Sequence, residues 1–391
     1  MSDTSVPATG IPLESGAPAT STGSGAGEPV RITWHGSPWS LAGLGLLNML
    51  LTIVTLGFYQ FWGKTEVRRR IWQSVRINGE PLEYVGTGRE LFLGFIIVFF
   101  LVLLPMIGLF TFTQIYFGPE HPAFFILFMA VYVLIFFLVG IAVYRARRYR
   151  LSRTRFRGIR GALVGSSLGF GWSAFWSLLL IPFTWGWIVP WRANFLHRTI
   201  TNDMRFGDKA FLYKGQAGPL YPPYVLAWVG GILVYVLAVA LFMFAFWDKF
   251  EAISKAQEAG VAPPELQFST GENVIIFAIV VSCLLLYSLF YGWYQARMLN
   301  QFTSRTTLGT LSFRLDVTAL GLVWLFISNY LLTLASLTIL RPVAEARTFK
   351  FLIERLVTEG TLDFATIGQS THRLSRTGEG LAEAFDIDAL G

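Results

Sequence analysis

One pattern of residues occurs three times in this chain, each time beside a long apolar run and ending in a basic, aromatic-rich stretch. The first copy reads Gly36-Ser37, Thr55-x-Gly57, Phe61-Trp62 and Tyr84-x-Gly86. The second reads Gly165-Ser166, Thr184-x-Gly186, Pro190-Trp191 and Tyr213-x-Gly215. Counted from the tryptophan, the landmarks fall at −26, −7, −5, 0, +22 and +24 in both. A third, worn copy is centred on Pro342-Val343. It keeps Asn329 and Thr333 at the offsets of Asn48 and Thr52, and has Ser336 in place of Thr55. Periodicity of this kind declares architecture before any local reading does. It does not declare an activity.

The chain has 391 residues, of which 53% are apolar and only 14% charged. That balance excludes a set of ordinary soluble domains. The 35 Phe and 13 Trp suit a bilayer with its aromatic belts. The net charge of +7 would suggest nucleic acid in a soluble protein, but here Arg and Lys cluster beside apolar runs. Membrane topology and anionic lipid headgroups explain that placement, and no nucleic-acid motif accompanies it. The single cysteine, Cys283, cannot form an internal disulfide and reads as a small packing residue. Residues 1–28 carry no Lys or Arg and no apolar core, so no signal peptide is read there. Residues 1–28 and 369–391 have the composition of disordered tails.

Four runs, 91–117, 121–144, 222–247 and 273–295, contain no Asp, Glu, Lys or Arg and are long enough to cross about 30 Å of hydrocarbon. Pro105 should kink the first. Three further runs, near 40–62, 168–190 and 318–340, belong to the repeats and carry helix breaks at Gly57, at Pro182, Gly186 and Pro190, and at Pro342. If all seven cross, the positive side chains divide 22 to 9; if only the four clean runs cross, they divide 29 to 2. The second arrangement obeys the positive-inside rule far better and puts both termini in the cytoplasm.

Short β-leaning segments flank each repeat helix: Arg31–Gly36 with Pro81–Gly88, Arg155–Val164 with Ala210–Gly215, and Thr310–Val317 with Thr361–Ile367. Pairing of such flanks would leave both ends of a repeat helix on one side of the bilayer, with a Gly or Pro break turning it back. The fold class that follows is a mainly α integral membrane protein. It has four spanning helices plus three repeated units of strand, re-entrant helix, interfacial helix and strand on the cytoplasmic side. The divisions are 29–90 (unit 1), 91–144 (helical hairpin 1), 145–221 (basic linker and unit 2), 222–295 (helical hairpin 2) and 296–368 (basic linker and unit 3).

The first copy, with Thr52–Lys64, the Arg68–Arg70 cluster and Leu82–Gly88, resembles the YjgN-like family of bacterial inner-membrane proteins. The Tyr144–Arg160 linker and the Asn202–Gly215 segment are similar to it as well. The resemblance covers roughly residues 30–368 and is weakest in the third copy, where Arg341-Pro342-Val343 stands in place of an aromatic. It implies an inner-membrane location and a domain of unknown function, and it carries over no catalytic or binding residue.

The residues themselves give no catalytic set. The four histidines, His35, His121, His197 and His372, have no partner at metal-ligand spacing, so neither a metal nor a cofactor is expected. Gly57 and Gly63-Lys64-Thr65 miss the phosphate-loop spacing by one residue. Gly165-Ser166-Ser167-Leu168-Gly169 matches a nucleophile elbow, yet Pro38 stands at the equivalent of Ser167, so a turn opening the repeat helix is the better reading. The clean runs hold no mid-bilayer acid of the kind ion-coupled carriers use.

Two sets of residues stand out. Asn48, Thr52 and Thr55, with Asn329, Thr333 and Ser336, form either a polar pocket at the helix break or plain helix-to-helix hydrogen bonds. Arg68, Arg69, Arg70, Arg147, Arg148 and Arg155, with Trp62 and Trp191, are candidate lipid-headgroup contacts. The expected function is a non-enzymatic permease or channel for a small or lipid-like solute. The competing expectation is an envelope scaffold or regulator that binds anionic lipids or partner proteins. Membrane lipids are the expected partners, and a protein partner or homo-oligomer stays open.

Overall fold

The computed structural model describes residues 27–118 and 120–369. The disorder expected for 1–28 and 369–391 therefore lies outside the described residues, apart from positions 27, 28 and 369. The chain is mainly helical. Helices α1 (Ala42–Val54) and α2 (Gln60–Ser74) come first, then α3 (Gly88–Val98) and α4 (Leu104–Phe117), joined end to end, and α5 (Pro122–Arg153). Next are α6 (Ser167–Phe183), α7 (Val189–Asp203), α8 (Tyr221–Ala245), α9 (Trp247–Glu258) and α10 (Thr270–Ser304). The last two are α11 (Ala319–Ala335) and α12 (Arg341–Ile353).

Four helices are long and apolar enough to cross a membrane: Gly88–Phe117, Pro122–Arg153, Gly218–Ala245 and Thr270–Ser304. They match the four clean runs. Between α3 and α4 the helix widens into a π turn, Phe99–Leu103, just ahead of Pro105. A π turn is one way a helix absorbs the N–H that proline lacks. The basic exits are not separate linkers. Helix α5 runs 32 residues and α10 runs 35, so each continues through its polar end without interruption. At 1.5 Å per residue these are about 48 and 52 Å long, well beyond the roughly 30 Å of hydrocarbon. Arg145 to Arg153 form the projecting end of α5.

The strands are short: β1 (Glu28–Pro29), β2 (Ile32–Trp34), β3 (Val75–Ile77), β4 (Glu80–Pro81), β5 (Glu83–Tyr84), β6 (Thr154–Phe156) and β7 (Ile159–Leu163). They continue with β8 (Met204–Phe206), β9 (Lys209–Tyr213), β10 (Thr306–Leu308), β11 (Leu311–Leu315), β12 (Leu356–Glu359) and β13 (Thr361–Leu362). The same order of elements, strand, apolar helix, tight turn, second helix, strand, runs through 32–77, 159–206 and 311–359. In each, the first strand pairs antiparallel with the last: β2 with β3, β7 with β8 and β11 with β12. Both ends of every helical hairpin therefore return to one place.

The strand partners differ from the sequence expectation. Arg31–Gly36 pairs through β2 with β3, whereas Pro81–Gly88 supplies β4 and β5, which turn to β3 and β6. Ala210–Gly215 lies one strand further out, in β9 beside β8 and β10, and Thr361–Ile367 begins with β13, paired to β1. Nor are these three isolated pairs. Strands β5 to β12 make one eight-stranded antiparallel sheet, with β2-β3-β4 and β1-β13 as smaller pieces. At the far edge β12 lies against β2, and Thr358 donates to the Val30 carbonyl. A two-stranded pair alone is marginal in water, so merging the pairs over a common core is the stable solution. That core joins all three stretches: Phe156 and Ile159 pack with Leu308, Leu311, Phe364 and Ile367, and Ile32 and Ile77 of the first stretch pack against them.

The hairpins pack on the long helices through small residues. Gly140 on α5 abuts Gly171 and Ala174 on α6, and Gly292 on α10 abuts Val323 on α11. The first and third hairpins also touch each other directly, α1 and α2 against α12. That junction holds the candidate site.

Candidate functional site at the junction of the first and third hairpins

Each hairpin turns over at a left-handed pair: Leu56 and Gly57 (φ 51° and 95°), Trp185 and Gly186 (50° and 84°), Leu337 and Thr338 (49° and 72°). The hydroxyl just before each turn holds it. Thr55 Oγ1 donates to the Leu51 carbonyl and accepts from the Tyr59 N–H, and Thr184 does the same between Leu180 and Ile188. Ser336 donates to the Thr333 carbonyl and accepts from the Leu340 N–H. Gly57 and Gly186 thus sit at the breaks, and Pro190 opens the helix that follows. Pro182 does not make a break; it lies inside the last turn of α6, which runs on to Phe183.

The third turn lacks the glycine. A β-branched residue at φ 72° is held in a region that L side chains avoid, at about 1–3 kcal/mol. Thr338→Gly should therefore raise stability by about 1 kcal/mol or more, while Gly57→Val should lower it by a similar amount through backbone strain alone, since a Cβ there meets nothing. Thermal unfolding followed by tryptophan fluorescence reads both. A T338G protein that melts below wild type would contradict the assignment of strain.

Asn48 and Asn329 link the two helices of their hairpins in the same way. Asn48 Nδ2 donates to the Gly63 carbonyl at 3.4 Å, and Asn329 Nδ2 donates to the Ala344 carbonyl at 3.1 Å and to Thr348 Oγ1 at 3.0 Å. Thr333 returns its hydroxyl to the Asn329 carbonyl. Thr55, Thr333 and Ser336 thus serve the helix ends, and the two asparagines tie helix to helix. Thr52 carries its carbonyl under the turn, accepting from the Gly57 N–H. The oxygens Asn48 Oδ1 and Asn329 Oδ1 are buried acceptors without a partner among the described residues.

Between these hairpins lies a charge cluster that the sequence reading did not pick out. Glu345 on α12 pairs with Arg341 at 3.4 Å, and Arg68 and Lys64 on α2 also act on its carboxyl. Burial pushes the Glu345 pKa up, against the pull of Arg341, Arg68 and Lys64. The signal was present in the repeat. Counted from Trp62 and Val343, Lys64 and Glu345 occupy equivalent positions and carry opposite charge. Gly45, one turn before Asn48, lets α1 lie on the Ile339 carbonyl and Pro342 of the third hairpin and so closes the junction.

The arginines of the basic stretches divide. Arg69 and Arg70 both bind Glu66, at 2.9 and 3.3 Å, Arg69 half-buried and Arg70 exposed. Arg68 belongs to the Glu345 cluster. Arg148 turns to the Gly165 carbonyl and lies over the Tyr144 ring. Arg147 lies close enough to His197 to act on its protonation. Arg155 sits in β6, opposite Glu83 on one side and Arg160 on the other. Trp62 and Trp191 are exposed, Trp62 against Phe92 and Trp191 stacked on Phe195.

Ser166, the first serine of the elbow-like motif, caps α6 by accepting from the Gly169 N–H, and Ser167 is buried within reach of Arg145. The motif is a helix start. Among the described residues no three His, Cys, Asp or Glu side chains converge. His197 stacks on Phe302 at 4.0 Å, and burial, with the Arg147 charge, holds its pKa down to about 4. A folded pKa below the unfolded value of about 6.5 means that protonation favours unfolding. Stability should be flat above pH 7, fall as the pH drops from about 6.5 to 4, and level off below. His197→Gln should flatten that slope in a melting-temperature series over the same range; an unchanged slope would assign it to other groups.

A chain that is mainly helical, with four helices long and apolar enough to cross a bilayer, has the build of a helical membrane protein. Residues 29–384 match the family described as bacterial protein of unknown function (DUF898), and the chain belongs to that family. It is similar to the inner membrane protein YjgN of Escherichia coli O157:H7, 25% identical over 182 residues, which is 44% of this chain and 41% of the relative. The YjgN protein of E. coli K12 is 24% identical over 164 residues, 40% of this chain and 36% of the relative. That of Salmonella typhimurium LT2 is 36% identical over 61 residues, 16% and 15% of the two chains. The matched segments thus span less than half the length of these relatives. No solved structure matches.

Proposed function

We propose that the three hairpins are copies of one unit that dips into the inner membrane from the cytoplasmic face and returns, leaving two helical pairs to cross it. On this reading both termini are cytoplasmic, and the protein is a non-enzymatic, permease-like handler of a lipid-like solute. One observation carries the reading. Strand pairing brings both ends of each hairpin back together, while the turn tips are bare and apolar: Leu56, Trp185 and Leu337 are 89%, 81% and 74% exposed. In water such tips would leave a large apolar surface unburied, whereas in lipid they are at home. The leading apolar helices, Pro38–Val54, Ser167–Phe183 and Ala319–Ala335, are each 17 residues, about 26 Å, short of a full crossing.

Support for a solute path comes from the junction, where Glu345, Lys64, Arg68 and Arg341 form a polar seam between apolar hairpins. Ionisable groups placed at membrane depth mark pathways more often than packing. Two measurements test this. In a Cys283→Ser background, single cysteines at 209–214 should resist an impermeant thiol reagent in intact cells, and cysteines at 261–266 should react; labelling of 209–214 from outside would end the topology. Proteoliposomes of the purified protein should move a fluorescent lipid analogue between leaflets faster than protein-free vesicles, and equal rates would end the transport reading. The scaffold reading, binding of anionic lipid without transport, draws on a separate feature of the same junction.

A further inference from the structure

We infer that a cleft between the first and third hairpins is a binding site for one phosphate-bearing anionic lipid. The site deepens the lipid-handling reading but is testable without it. The cleft has a volume of about 440 Å³, and Trp39, Trp324, Phe351, Arg347, Lys350 and Arg355 are among its lining residues. Three cations against one lining carboxylate, Glu354, leave an excess of two positive charges.

The placement of these residues matches the two halves of a lipid. They lie in the half of the hairpins nearer the sheet, from the middle of α12 outward. Trp39 stands at the start of the first hairpin and Trp324 in the second turn of α11, while Arg347, Lys350 and Arg355 lie in the second half of α12 and just past its end. On the proposed topology this is the headgroup level, where Trp and Arg are favoured. The cations are held in place but not used up. The Arg347 guanidinium donates to Ser328 Oγ at 2.9 Å, and Arg355 lies over the Phe351 ring at 3.8 Å and donates to its carbonyl. Lys350 is 3.6 Å from Glu354, a loose and exposed pair that an incoming phosphate can displace. Each guanidinium keeps donors for a bidentate bond to phosphate oxygens.

The cleft-lining Trp324 belongs to an exposed apolar stripe on α11, and α1 carries another. Leu320, Trp324 and Leu331 on α11 are spaced to share a face, as are Leu46, Leu50 and Ile53 on α1, and all are exposed. An acyl chain lying along either stripe would place its phosphate at the cations. A free phosphate would satisfy the cations and leave both stripes and both tryptophans unused.

The test uses the full chain in nanodiscs of phosphatidylcholine doped with dioleoyl phosphatidylglycerol, with retained lipid counted by native mass spectrometry. Wild type should retain phosphatidylglycerol over phosphatidylcholine. Each of Arg347→Ala, Lys350→Ala and Arg355→Ala should lower that retention by about fivefold, since a Lys or Arg at an anionic surface contributes about 1 kcal/mol. Glu354→Gln should raise it by removing the competing carboxylate, a gain that misfolding cannot mimic. Equal retention of the two lipids by wild type, or no response to any of the four substitutions, would overturn the site. Displacement of the lipid by millimolar inorganic phosphate would also overturn it, as a phosphate site rather than a lipid site. Vesicles that show no transport while phosphatidylglycerol is still retained would remove the permease reading and leave this site standing.

Discussion

Arg153→Ala is expected to destabilise the protein by about 1–3 kcal/mol, the cost of leaving a partly buried carboxylate without its charged partner. Arg153 is the last residue of α5 and Glu90 lies in the first turn of α3. The guanidinium grips the carboxylate with both edges, Nε to Oε2 at 3.0 Å and Nη2 to Oε1 at 2.6 Å, and Tyr149 donates to Oε2 at 2.6 Å. The Arg153 side chain is only 10% exposed and that of Glu90 31%. This pair joins the start of α3 to the end of α5, at the point where α5 feeds β6. Removing the cation leaves Glu90 with Tyr149 alone. The double variant Glu90→Leu/Arg153→Met, which deletes both charges and restores apolar volume, should lose less than R153A by itself. Thermal unfolding of wild type, R153A and the double variant in one detergent decides the matter, and a double variant that melts below R153A would show that the stranded charge is not what costs stability.

Gly45→Val should separate the first hairpin from the third. A Cβ at this position would overlap the Ile339 carbonyl, a backbone atom that no rotamer change can move. Overpacking typically costs about 1–3 kcal/mol, and a clash with backbone belongs at the upper end. Gly43, two residues earlier on the same helix, faces open space. Gly43→Val therefore serves as the matched control and should melt near wild type. Because Glu345 meets Lys64 and Arg68 across the same junction, G45V should also lower phosphatidylglycerol retention, and G43V should not. A G45V protein with wild-type melting and lipid retention would show that the hairpins do not depend on this contact.

Much of the helical layout was legible in the chain. The four crossing helices follow from runs free of charge, a one-dimensional property that no tertiary contact needs to complete. The turns were legible at Gly57 and Gly186 because glycine marks positive φ. They were not legible at Leu337 and Thr338, where the structure holds ordinary residues in the same conformation. The strand partners were harder to place. Each flank holds two candidate strands in sequence, and local patterning cannot say which of them faces the first strand. The choice of β3 over Pro81–Gly88, and of β12 over Thr361–Ile367, follows from which strand is reached first on leaving the second helix.

The arginines show the same limit. Composition placed Arg148, Arg153 and Arg157 in one basic patch. The fold turns Arg148 to a carbonyl and pairs Arg153 with Glu90 and, at the surface, Arg157 with Glu80, so part of that positive density is matched by acids of the protein itself. Glu345 went unread because its importance comes from a neighbour some 280 positions away.

By itself the sequence determined that the chain lives in a membrane, which segments have the length to cross it, and where the first two hairpins bend; the third bends at Leu337 and Thr338, ahead of Pro342, which opens α12. These follow from hydropathy, length and backbone preference, all local in the chain. Only the tertiary structure decided that the strands of all three stretches join over one core, that the first and third hairpins touch, and that Trp39 of the first meets the basic and aromatic side chains of the third in a single cleft. Those depend on pairings between distant segments, where the free energy comes from shape and charge meeting across space and leaves no periodic trace along the chain.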